Sequence, residues 1–83
     1  MSNITPDEIL PALAEIVHQV VGAPVEQVVP GASFTDDLGV DSLSLLEIAV
    51  GIEEKFGLRV PDDQVAGLLR VSDAVEFIRG ALV

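Results

Sequence analysis

The chain has no cysteine, no tryptophan, no tyrosine and one histidine, His18. Without cysteine it has no disulfide, no thiolate ligand for a metal and no thiol nucleophile of its own. Its aromatic residues are limited to Phe34, Phe56 and Phe77, so the core must be built from aliphatic side chains. Bases are scarce too: four Lys and Arg face fourteen Asp and Glu, for a net charge of −10. A field of that sign repels phosphate backbones and anionic headgroups, which excludes nucleic acid and membrane surfaces as partners and favours basic protein surfaces. Solubility alone would account for the same acidity. No apolar run approaches the roughly 20 residues needed to span a bilayer. The opening Met-Ser-Asn-Ile-Thr-Pro-Asp-Glu carries neither the basic segment nor the apolar stretch of a signal peptide, so a cytoplasmic location is expected.

What is present is a hydrophobic fraction of 49% in 83 residues. That suits one small domain spanning residues 1–83, with a real core but marginal stability, since a chain this short buries only roughly 60–65% of its unfolded surface. Thr5-Pro6-Asp7-Glu8 reads as a helix start: Thr5 caps, Pro6 takes the first helical position and Glu8 completes a capping box. Ile9, Leu13, Ile16, Val17, Val20 and Val21 follow at helical spacing. Pro11 conflicts with that pattern. Either the first turn is kinked, or the regular helix starts near Asp7 and takes in Pro11 about one turn later. The helix should stop by Gly22-Ala23-Pro24. His18 has no partners in the pattern and reads as a partly exposed surface residue.

Residues 22–41 form a long connection punctuated by Pro24, Pro30, Gly31 and Gly39. Val25, Val28, Val29 and Phe34 should pack it onto the core, with one helical turn at residues 25–28. A second helix is expected over residues 41–56, capped by Asp41 or Ser42 and stopped by Gly57. Leu45, Ile48, Ala49, Ile52 and Phe56 make its core face. Leu43, Leu46 and Val50 make a second apolar strip beside Glu47 and Glu54. A helix of a small bundle needs only one such face, so Leu43 and Val50 are expected to meet a partner; for Leu46, packing under the long loop is an equal alternative. Pro61 opens a short helix over residues 62–69, weakened by Gly67, with Asp62 and Asp63 complementing its dipole. A last helix, capped by Ser72, carries Val75, Ile78 and Leu82, with Ala74 and Phe77 alongside. The fold class is all-α: a small four-helix bundle of three main helices and one short one, with a long loop between the first two.

Enzyme signatures are absent, and no catalytic residue is expected. Asp36, Asp37 and Asp41 fail the EF-hand pattern, so no metal site is expected. What remains is Ser42, at a helix start after a glycine-containing loop. Three features mark it: Asp41 already supplies a capping side chain, a helix N-terminus favours phosphate, and the loop keeps the hydroxyl accessible. By themselves they leave both a plain cap and a site of phosphate attachment open. A helical interaction module and a small hydrolase with Ser42 as nucleophile are the rivals from other classes. His18, the one available base, lies far away in sequence.

Asp37-Leu38-Gly39-Val40-Asp41-Ser42-Leu43 followed by Glu47 resembles the phosphopantetheine attachment signature of acyl carrier proteins. The resemblance extends through Glu53-Glu54-Lys55-Phe56-Gly57, Val60-Pro61-Asp62-Asp63 and the closing helix. The aspartate before the serine resembles acyl rather than peptidyl carriers. The resemblance implies a discrete, type II carrier for fatty-acid or polyketide synthesis, with aromatic polyketide synthesis as the specialised alternative. It implies 4'-phosphopantetheine on Ser42, flanked by Asp41, donated by coenzyme A through a phosphopantetheinyl transferase. The terminal thiol of that group would then stand in for the missing cysteine and hold acyl chains as thioesters. Partners would be ketosynthase, acyltransferase, reductase or dehydratase enzymes with basic patches, met by a monomer through Leu43, Glu47, Val50, Glu53, Glu54, Asp62 and Asp63. Lys55, where a third acid is common, and Pro11 are the departures from the pattern.

Overall fold

The computed structural model describes residues 6–82, which form four α-helices: α1 Pro6–Val21, α2 Ser42–Phe56, α3 Asp62–Val65 and α4 Val71–Leu82. A 3₁₀ turn, Val25–Gln27, lies in the long α1–α2 connection. No β-strand occurs among the described residues. The expected cap, Thr5, lies outside them.

α1 starts at Pro6, where a missing amide costs nothing, and runs without a break through Pro11. The second of the two expected arrangements therefore holds to within a residue. Pro11 is exposed, and the carbonyl it leaves without a helical donor belongs to Asp7, also exposed, within reach of water. Ile9, Leu13, Ile16 and Val17 are buried as the spacing requires, and Val20 and Val21 are half-buried. Gly22 ends the helix at φ 77°, its amide donating to the His18 carbonyl at 2.8 Å. His18 is exposed, yet it has a structural role: Nδ1 donates to the Ala23 carbonyl at 2.9 Å, tying down the turn.

α2 packs its Ile48, Ala49, Ile52 and Phe56 face against α1, with Leu45 half-buried beside it. The helices approach closely at Gly51, where a Cβ would lie 2.8 Å from Cγ2 of Ile16. Gly57 stops α2 in the left-handed conformation, as expected.

α3 ends at Val65, four residues before the expected end. The chain leaves it through i→i−3 bonds, Gly67 amide to Gln64 carbonyl and Leu68 amide to Val65 carbonyl, which tighten the turn instead of extending the helix. That turn buries Leu68 and leaves Leu69 exposed.

α4 begins at Val71, and Ser72 is not its cap. Asp73 does that work from inside the helix: Oδ2 accepts the amides of Arg70 at 2.9 Å and Leu69 at 3.2 Å. The Ser72 amide donates instead to the Pro30 carbonyl at 2.9 Å. Val71, Ala74 and Ile78 form the buried stripe, while Val75, Phe77 and Leu82 are only half-buried.

The long connection is pinned at both levels, side chain and backbone. Val28, Ala32, Phe34, Leu38 and Val40 enter the core. Val25 and Val29, expected to do the same, are exposed: Val25 lies in the 3₁₀ turn, which buries no side chain, and Val29 follows buried Val28. The backbone is held by a short ladder to the α3–α4 segment. The Val71 amide donates to Ala32, the Phe34 amide to Leu69, and the Arg70 guanidinium to the Gly31 carbonyl at 2.7 Å.

Candidate functional site

The site is the start of α2 and the loop that delivers it. The Val40 amide donates to the Phe34 carbonyl at 2.8 Å, closing residues 34–40 into a bracket. Inside it, Asp37 is fastened to Ser33 twice: its carboxylate accepts the Ser33 amide at 2.7 Å, and its own amide donates to the Ser33 carbonyl at 3.0 Å. Leu38 and Val40 plunge into the core on either side of Gly39, which takes φ 68°. A side chain at Gly39 would meet no neighbour, so glycine is needed there for its backbone angle and not for room. Leu38 and Val40 alternate with exposed Gly39 and Asp41; the alternation ends where α2 begins, and Ser42 is exposed as well.

Ser42 is exposed and is the first residue of α2. Asp41 is the N-cap: Oδ1 accepts the Ser44 amide at 2.7 Å, and its carbonyl accepts the Leu45 amide at 2.9 Å. The Ser44 amide and hydroxyl hold the Asp41 carboxyl below the usual aspartate value. The sequence leaves this helix end open to a plain cap or a phosphate. The structure gives the Ser44 amide to Asp41, so a phosphate on Ser42 would face solvent and the helix dipole with that donor already taken. The donor set fits a phosphodiester on an exposed hydroxyl. It does not fit self-activation: the sole histidine commits Nδ1 to Ala23, and Asp41 is directed at the backbone.

The candidate docking residues lie on α2 and in the first turn of α3. Leu43, Leu46 and Val50 are 68%, 43% and 52% exposed, so of the two alternatives for Leu46, packing under the long loop does not hold. Glu47 and Glu54 are exposed on α2, and Asp62 and Asp63 are exposed in the first turn of α3. Glu53 differs. It is half-buried, and Oε2 accepts the Val60 amide at 2.8 Å, joining α2 to the approach to α3. Among the described residues no helix is long and apolar enough to cross a membrane.

The family model for the phosphopantetheine attachment site matches residues 11–78. The chain is 54% identical over 80 residues to an acyl carrier protein of Acidothermus cellulolyticus, covering 96% of this chain and 95% of that one. It is 51% identical over 75 residues to an acyl carrier protein of Myxococcus xanthus, covering 90% and 95% respectively. A meromycolate extension acyl carrier protein of Mycolicibacterium smegmatis is 48% identical over 75 residues, covering 90% of this chain and 76% of that one. An all-α fold, an exposed serine at a capped helix start and these matches lead to one assignment: the chain belongs to the acyl carrier protein family, non-catalytic carriers that bear phosphopantetheine.

Proposed function

We propose that the Oγ of Ser42 is the attachment atom, and that a phosphopantetheinyl transferase places 4'-phosphopantetheine there from coenzyme A. The observation that carries this reading is the exposure of Ser42 at the first position of α2, behind a bracket that fixes its backbone. Once attached, the group supplies a terminal thiol that holds acyl chains as thioesters. This chain's own residues do the rest. Phe34, Leu38 and Val40 fix where Ser42 stands, and Asp41 keeps the helix start in register.

Leu43, Leu46 and Val50 with Glu47, Glu54, Asp62 and Asp63 present the carrier to basic patches on synthase enzymes. Docking of this kind is weak and electrostatically steered, which suits a carrier that must leave each enzyme quickly. The carrier acts as one monomeric domain in the cytoplasm, in fatty-acid or polyketide synthesis. The meromycolate name of one relative favours a lipid pathway over an aromatic polyketide one.

The test is intact mass after incubation with coenzyme A and a transferase. The wild-type chain should gain one phosphopantetheine and Ser42→Ala should gain none. An unchanged wild-type mass would overturn the attachment, and an equal gain in Ser42→Ala would move it elsewhere.

A further inference from the structure

The exposed apolar side chains fall into more than one place. One group is the α2 strip beside Ser42. Another flanks the 3₁₀ turn, where Val25 is 45% exposed, and it borders a groove between that turn and α1. The groove encloses about 410 Å³. Buried Ala14 and Val28 line its inner side, and the small Ala14 side chain gives it depth. Leu10, Pro11 and Val25 wall it with carbon, and Glu15 and Glu26, both exposed, are its charged lining residues. A neighbouring depression across the Pro11 and Glu15 row of α1 contains Lys55, so its charge is mixed. The groove at the turn is lined by acids without a base.

We infer that this α1–turn groove is a second docking surface, for a helical segment of a partner protein that inserts one apolar side chain flanked by Lys or Arg. Charge selects that occupant. A second copy of the chain would bring another −10 and a matching acidic rim, and anionic lipid is repelled in the same way. An apolar anchor with flanking cations satisfies both the carbon walls and the two glutamates, as in helix-in-groove recognition. One anchoring side chain with exposed charges around it makes a contact that is brief and salt-sensitive. It does not involve Ser42, and a carrier bound there keeps its α2 strip free.

The test uses the full-length chain, ¹⁵N-labelled, unmodified and phosphopantetheine-bearing, titrated with a synthetic amphipathic helical peptide of leucine and lysine. Saturable shifts are expected at the amides of Leu10, Ala14, Val25 and Val28 in both forms. The double variant Glu15→Lys, Glu26→Lys should weaken that binding by about fivefold or more, leaving shifts at Leu43 and Val50 as in wild type. Val25→Ser should weaken it too, without change in far-ultraviolet circular dichroism, because no side chain of the turn is buried. Shifts confined to the α2 strip, or equal binding of a peptide with glutamate in place of lysine, would overturn the inference. Failure of Ser42 to accept phosphopantetheine would leave these results unmoved, so the two readings fail separately.

Discussion

The carboxylate of Asp41 accepts the amide of Ser44 at 2.7 Å, two residues past Ser42. The cap and the handle are thus adjacent but separate. The native carboxyl titrates below its ordinary value of 3.8. For a lowered carboxylate, the unfolded state binds the proton more readily, so its contribution is full above that ordinary value and is lost as pH falls through the lower native one. Asp41→Asn keeps a capping oxygen but not the charge. Its midpoint in urea should lie below wild type at pH 7, and the gap should close in acid. A gap that stays constant with pH would show that the charge of Asp41 plays no part.

Glu47 and Glu53 should separate into address and brace. Glu53→Ala orphans the amide of buried Val60 and should cost about 1–2 kcal/mol in urea unfolding. Glu47→Lys, on an exposed side chain, should change stability by less than about 0.5 kcal/mol while slowing acyl transfer by partner enzymes. Added salt should slow the same transfers in wild type, because exposed charges are screened beyond ~10 Å at 0.1 M. A strongly destabilised Glu47→Lys would make that residue structural, and rates indifferent to salt would remove the steering.

Two glycines inside helices should respond in opposite directions to alanine. Gly80 in α4 has open space where a Cβ would stand, and Gly80→Ala should gain about 0.5 kcal/mol. Gly51→Ala gains up to about 1 kcal/mol in helix propensity but drives its methyl against Ile16, whose branched side chain is stiff in a helix. Overpacking of this kind costs ~1–3 kcal/mol, so the net should be a loss of up to about 2 kcal/mol. Thermal melts of both variants check the contrast; a stabilised Gly51→Ala would mean that the α1–α2 crossing gives way.

Phe34 holds the bracket by its side chain and by its backbone. Phe34→Ala should cost about 3–5 kcal/mol, a large part of what a domain of this size possesses. Phe34→Leu should remain folded and show faster hydrogen exchange at Val40, whose amide depends on the Phe34 carbonyl. Unchanged protection at Val40 would separate the bracket from the aromatic anchor.

α2 was legible from the sequence because its signals are local: a cap at Asp41, a stop at Gly57 and a core face at spacings of three and four. The loop was legible only in part. Its apolar residues implied burial, but only a three-dimensional partner decides that Val28 enters the core while Val25 and Val29 stay out. The ladder from residues 30–34 to residues 69–72 pairs segments almost forty residues apart, and such pairing leaves no period to read. The same distance hid the start of α4. Ser72 looked like a cap by its type, yet its amide is committed to Pro30, and Asp73 took the capping work through the reciprocal half of the motif. α3 was drawn too long because composition does not distinguish an i→i−3 turn from a fourth helical bond. At the site, the residue types around Ser42 left a cap and an attachment site both open, the resemblance of the surrounding motif pointed to attachment, and the exposure of Leu46 and the bracing role of Glu53 needed the fold.

The bracket around Phe34 and Val40 has a consequence for delivery. A serine on a loose tether could swing toward an active site while its domain stayed put. Here the backbone before Ser42 is held by bonds from Ser33, Phe34 and the α3–α4 segment, so the polypeptide offers no swing. With phosphopantetheine on Ser42 as proposed, all reach would come from the attached group, whose length would set how deep an active site the carrier can serve. The body of the carrier works as a fixed crane base, and each enzyme must position the whole base before the cargo can be lowered.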